Sequence, residues 1–327
     1  MPRLDVQQQG DSGLLLRVLA YGESGRKKTW WAVAAAEAGF NVLYLNGDKP
    51  ATILKQIKPE AKGRVHIMEA LHTYNYSQFI GALFNRRRLL WDDTAGKPVS
   101  AINQETQHEY MQADLSKLNN SWVLVVDSWT GLVSATMQQL ADQKNVDLSE
   151  VDKIEWDLFG PSGIYLDWVL EQLKKLPCHV IVTGHEDTYT VYKKDAKGKQ
   201  TPEILFSRTQ PVSSSRPHGK KLAKNFTDVL RFVMLGTGNY IDTTSFGDRD
   251  GGSTNVPPKS YRWDELGFVD IAKSGGCYIP DGTQPQEVVT YYGPGNYPEV
   301  VAKAMPTQLN ASAASGGLAG LLKMQPK

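Results

Sequence analysis

The segment Gly22-Glu23-Ser24-Gly25-Arg26-Lys27-Lys28-Thr29-Trp30 combines glycines, a hydroxyl and a run of cations in an order suited to holding phosphates. A turn of this kind presents successive backbone N–H groups to an anion, and a helix opening at its end adds the positive end of its dipole. Gly22 and Gly25 supply the turn. Lys28 is placed to reach the outer phosphates as a point charge, and the Thr29 hydroxyl suits a Mg2+ ion. The pattern departs from its usual form at one position: Lys27 stands where a glycine normally precedes the lysine. Glycine suits that place because the backbone must approach the phosphates closely. A lysine fits there if its side chain points away, and its presence leaves the turnover rate open.

Three further groups have the chemistry to act with such a loop. The run Trp122-Val-Leu-Val-Val-Asp127 ends in an acid, as a strand delivering a carboxylate to a metal at a sheet edge must. The other reading of Asp127 is a turn residue or helix cap. Asp48 follows the run Asn41 to Leu45, where its carboxylate either orients an attacking water or simply completes the turn Gly47-Asp48-Lys49-Pro50. The run His179 to Thr183 is followed by Gly184, His185 and Glu186. A polar side chain here can contact the terminal phosphate and respond to its loss, making His185 and Glu186 candidates beside the ordinary reading of packed or surface residues.

These residues need elements to position them. Apolar runs rich in strand formers recur at Leu14–Tyr21, Asn41–Leu45, Val65–Met68, Trp122–Val126, His179–Thr183 and Val229–Leu235. Several are continuous rather than alternating, which is how strands buried on both faces read. Helical patterns lie between them: Thr29–Ala38 ending at Gly39, a face of Leu132, Val133, Met137, Leu140 and Ala141, and a face of Leu166, Val169, Leu170 and Leu173 with Pro177 beyond. The alternation predicts an α/β fold, a mainly parallel sheet flanked by helices, over residues 1–235. Residues 73–120, polar and carrying Arg86, Arg87 and Arg88, read as a helical insertion. Residues 187–224 read as a β-hairpin followed by a basic loop. Residues 236–327 read as an irregular C-terminal region with short strands such as Glu287–Tyr292 and an Ala/Ser/Gly-rich mobile tail from Asn310.

The chain has 327 residues, 36 Lys plus Arg against 35 Asp plus Glu, and a formal net charge of +1. That balance neither announces nor excludes nucleic-acid binding, for which a local basic patch suffices. Cys178 and Cys277 are too few and too far apart for a disulfide framework or a zinc knuckle. The polar start lacks a signal-peptide core, and no apolar run reaches the roughly 18 residues that span a bilayer. A cytoplasmic location with no membrane partner is the expectation.

In motif order, GESGRKKT, LYLNGD, VLVVDS, VIVTGHE and FSRTQPVSSSRPHGKKLAKNFTDVLRF, the chain resembles the RecA/Rad51-like P-loop ATPases. It is most similar to the phage-type AAA family nucleotide-binding and single-strand annealing ATPases. The resemblance covers about residues 12–235. It implies ATP and Mg2+, assembly into a ring or filament, action on single-stranded DNA in recombination, annealing or replication, and a host cytoplasm if phage-encoded. It places the water-activating acid on Asp48, where a glutamate is more usual, the metal-shell acid on Asp127 and the sensor on His185. Arg208, Arg216, Lys220 and Lys221 fall where such assemblies carry basic residues that reach a neighbour's nucleotide, although a solvated basic loop is the commoner reading of such residues. Tyr189, Tyr192, Arg86 to Arg88 and Lys193 to Lys199 are candidates for a DNA path, against an exposed helix and an ordinary hairpin. Two other expectations remain: a nucleotide-binding structural or regulatory protein with weak turnover, motivated by Lys27, and a motor or packaging helper docking through residues 306–327.

Overall fold

The structure is a computed structural model that describes residues 14–47, 52, 55–70, 73–146, 156–194, 197–244, 251–283 and 288–297. In chain order the first elements are β1 (Arg17–Gly22), α1 (Lys28–Val33), β2 (Asn41–Asn46), β3 (Val65–Glu69) and α2 (Thr73–Arg86). There follow β4 (Arg88–Asp92), β5 (Lys97–Val99), β6 (Tyr110–Asp114), β7 (Trp122–Asp127), α3 (Trp129–Lys144), α4 (Trp156–Lys174) and β8 (His179–Gly184). The remainder comprises β9 (Glu186–Lys194), β10 (Gln200–Pro211), α5 (Arg216–Leu222), β11 (Asp228–Leu235), β12 (Gly238–Asp242), β13 (Gly252–Ser253), β14 (Ser260–Arg262), α6 (Phe268–Ser274) and β15 (Val289–Tyr292).

The central sheet runs β14-β12-β11-β1-β8-β7-β2-β3, with β13 beside β11. All pairings from β11 to β3 are parallel, while β12, β13 and β14 join antiparallel. Because side chains alternate across a strand, each parallel strand feeds two cores. Leu19, Leu43, Leu124, Val126, Val180 and Val182 face α2, α3 and α4, where Leu83, Leu132 and Val169 meet them. Val18, Ala20, Val42, Val125 and Ile181 face α1 and α6, packing with Trp31, Ala32, Phe268 and Ile271. Burial on both faces explains why these strands read as unbroken apolar runs.

Three expectations are corrected. Residues 73–120 are not a wholly helical insertion: only α2 is helical, and β4, β5 and β6 form an antiparallel sheet completed by β15. The buried Leu89, Leu90, Trp91, Tyr110 and Met111 drive it, and the polar turns between them dilute the pattern. The described part of 236–327 is not irregular, since β12 and β14 extend the central sheet and α6 covers one face of it. The hairpin expected in 187–224 is present as β9–β10, but its basic continuation is α5, capped by Ser215 accepting from the His218 N–H. The docking tail 306–327 lies outside the described residues.

Candidate functional site: a glycine-bearing loop beside a buried carboxylate

Parallel strands all end at one edge of the sheet, and the polar residues collect there. In register across that edge, Ala20 of β1 pairs with Thr183 of β8, and Asp127 of β7 pairs with Asn46 of β2. Tyr44, Asp127 and Thr183 continue the alternation of Val42, Val125 and Ile181, which places them on the α1 side of the sheet. One strand, β8, separates the strand of the loop from the strand of Asp127.

The loop leaves β1 at Gly22, whose φ is 145°; a Cβ there would lie 2.1 Å from the Phe232 carbonyl oxygen, so only glycine fits. The loop returns at Lys27, which adopts left-handed backbone geometry, φ 70° and ψ 8°, with its side chain exposed. The missing glycine is thus replaced by a residue forced into the conformation a glycine favours. Between them Arg26 and Glu23 form an ion pair of 2.7 Å across the turn, and Ser24 and Gly25 are exposed. Lys28 is buried beneath the loop, its Nζ donating to the carbonyls of Gly22 at 2.8 Å and Glu23 at 2.6 Å.

Thr29 and Asp127 meet directly, Thr29 Oγ1 donating to Asp127 Oδ2 at 2.7 Å. Tyr44 Oη donates to the same oxygen at 2.7 Å, and Thr183 Oγ1 donates to Oδ1. Three hydroxyls therefore hold one buried carboxylate. A carboxylate has about four acceptor positions, so it retains capacity for another partner, and Thr29, whose O–H is used as the donor, keeps both oxygen lone pairs. Hydroxyl and carboxylate oxygens are the hard donors a Mg2+ ion prefers, which makes Thr29 and Asp127 a fitting pair for it. The Asp127–Ser128 peptide is cis, and Ser128 caps α3 by accepting from the Gly131 N–H at 3.0 Å.

A cleft of about 480 Å3 lies over this group, lined by the loop from Ser24 to Trp30 together with Tyr44, Asn46, Thr52, Gln56, Asp127, Ser128 and Thr183 to His185. His185 lines it, its N–H held by Thr130 Oγ1 at 2.9 Å and its carbonyl by the Val212 N–H at 2.9 Å. Glu186 does not line it. Both of its carboxylate oxygens grip the Arg231 guanidinium, at 2.8 and 3.3 Å, in a separate depression of about 370 Å3 shared with Glu23 and Asp242. Neighbouring residues on an extended chain point opposite ways, so a role for His185 in the cleft excludes one for Glu186. Asp48 lies outside the described residues.

Of the basic candidates, Arg208 sits in β10, Arg216 opens α5, and Lys220 and Lys221 are exposed on α5; Arg208, Lys220 and Lys221 do not line the cleft of their own chain. Arg87 donates to Gln172 Oε1 at 2.9 Å, tying the end of α2 to α4, whereas Arg86 and Arg88 are exposed. Tyr44 and Thr183 escaped the sequence reading because one tyrosine or threonine inside an apolar run reads as core; strand register reveals them. A second polar array lies at the start of α5, where Ser213 Oγ meets His218 Nδ1 at 2.5 Å and His218 Nε2 meets Asp167 Oδ1 at 2.9 Å. Its order is that of a nucleophile triad, but the serine oxygen also accepts from Trp129 Nε1 at 3.3 Å, and neither cleft reaches it. It ties α3, α4 and α5 together. Both cysteines are buried free thiols, and no described helix is long and apolar enough to cross a membrane. No protein-family model and no curated protein matches the chain.

Proposed function

We propose that the cleft binds the triphosphate of ATP with Mg2+ and catalyses its hydrolysis. The observation that carries the reading is the hydrogen bond from Thr29 to Asp127, which joins residues 98 positions apart beside a buried lysine and under a glycine-bearing turn. The strand order, with β8 between the strands of the loop and the acid, supports a RecA-like P-loop architecture. In this reading the main-chain N–H groups from Ser24 to Thr29 cradle the phosphates, and Lys28 neutralises charge on the outer ones. Bound Mg2+ supplies charge stabilisation for the phosphoryl group, held by Thr29 and Asp127. Asn46 and His185 border the terminal phosphate. Asp48, two residues past Asn46, is the proposed water-orienting acid.

We further propose that turnover serves DNA recombination, annealing or replication in an oligomer, within a cytoplasm. The projecting ribbon β9–β10 supports this part, with exposed Tyr192 and lysines 193 and 194 at its outer end. Lys27 favours the second reading, binding with weak turnover, because its strained backbone occupies the closest point of the loop.

The test measures ATP binding and hydrolysis with and without single-stranded DNA in the wild type and in Lys28→Ala. We expect the variant to lose turnover by about a hundredfold or more. Absence of nucleotide binding in the wild type overturns both readings. Binding without DNA-stimulated turnover selects the second.

A further inference from the structure

The cleft does not end at the phosphate loop. Its lining also takes in Trp30, Thr52 and Gln56, which lie outside the loop from Ser24 to Thr29. Its volume lies within the roughly 300–1,000 Å3 of small-molecule sites, more room than a phosphate tail needs. The two consecutive tryptophans that open α1 behave differently. Trp31 is fully buried, with its Nε1 donating to the Leu266 carbonyl at 2.7 Å. Trp30 is only half-buried and lines the cleft. Its indole is held edge-to-face by Trp263, ring centroids 5.0 Å apart and planes at 83°. The backbone of Trp263 is in turn anchored, its main-chain N–H donating to the Asn239 carbonyl at 3.2 Å. A half-buried indole braced by a second one is a rigid flat surface, and its place one residue beyond Thr29 is where the nucleoside end of a bound triphosphate must leave the loop.

We infer that Trp30 is the platform on which the base of the nucleotide stacks, with Trp263 fixing the orientation of the ring. This rests on the phosphate-cleft reading and adds to it the part of the ligand that the loop does not touch. Stacking needs only a π-face, so it binds any nucleobase and contributes affinity rather than base selection. The C-terminal region thereby has a part in the site, since Trp263 comes from the turn after β14.

Calorimetric titration of ATP and of inorganic tripolyphosphate, both with Mg2+, separates the two ideas. In the wild type we expect ATP to bind more tightly than tripolyphosphate. In Trp30→Ala we expect ATP affinity to fall about tenfold to a hundredfold with tripolyphosphate affinity unchanged. Trp30→Phe keeps a π-face and restores most of the difference. Equal binding of ATP and tripolyphosphate by the wild type overturns the platform and leaves the phosphate cleft standing. Binding of neither overturns the phosphate cleft and the platform with it. A parallel loss of both ligands in Trp30→Ala means that the tryptophan merely supports the loop, and also overturns the platform.

Discussion

The two edges of the parallel sheet both bury polar side chains but use them differently. At the edge where the strands begin, side chains bond to backbone. The Leu16 N–H donates to His179 Nδ1 at 3.0 Å, and the Arg17 guanidinium donates to the carbonyls of Leu16, Lys174, Leu176 and Cys178 at 2.6 to 3.2 Å. Phe40 and Phe268 box the imidazole edge-on. At the edge where the strands end, side chains bond to one another, as Thr29, Tyr44 and Thr183 do on Asp127, with an open cleft above them. A side chain spent on backbone groups locks the chain and leaves nothing for a ligand. A net of hydroxyls around one carboxylate leaves acceptor capacity for another partner. One strand, β8, contributes to both edges, His179 at its start and Thr183 at its end.

The largest expected effect separates activity from stability. Asp127→Asn keeps the size of the side chain and removes its charge. We expect ATP turnover to fall about a hundredfold while the thermal midpoint moves by only a few degrees. If the midpoint collapses and the activity of the remaining folded protein is normal, then Asp127 is a structural acid, and the contrast between the edges fails.

The second effect belongs to the closed edge. Burial, reinforced by the Arg17 charge, holds the His179 pKa down at about 4, from an ordinary 6.5. Above pH 6.5 the imidazole is neutral folded and unfolded, so it contributes no pH dependence. Between pH 6.5 and about 4 the unfolded chain takes up a proton that the folded one refuses, and stability falls with pH by up to about 3 kcal/mol. Urea denaturation between pH 7.5 and pH 4.5 should show a steeper loss in the wild type than in His179→Asn, whose amide oxygen can still accept from the Leu16 N–H. Identical slopes would mean that this edge is open to water after all.

Much of this contrast was legible in the sequence, and the remainder was hidden for physical reasons. The strands of the parallel sheet announced themselves because burial on both faces demands unbroken apolar runs. Gly22, Lys28, Thr29 and Asp127 stood out because their types and spacing are rare by chance. Tyr44 and Thr183 needed the register, which no single strand contains. The sheet of β4, β5, β6 and β15 was missed because its last strand pairs with β6 about 180 residues upstream in the chain, and the polar turns hid the hydrophobic strands. Glu186 was misplaced because strand parity, not proximity in sequence, decides which face a residue joins.

The smallest effect concerns Lys27, the one departure from the expected loop. Left-handed geometry costs a residue with a Cβ about 1–2 kcal/mol, and a glycine avoids that cost but adds unfolded-chain entropy worth about 0.5–1 kcal/mol. Lys27→Gly should therefore raise stability by no more than about 1.5 kcal/mol, a shift of a few degrees in the thermal midpoint. Because the Lys27 side chain is exposed, its ammonium stays hydrated, and tripolyphosphate affinity should change by less than about threefold at moderate salt. A loss of tenfold or more would show the ammonium itself gripping the phosphates. The open edge would then work through a second side-chain cation rather than through the main chain, and the division of labour between loop amides and Lys28 would have to be redrawn.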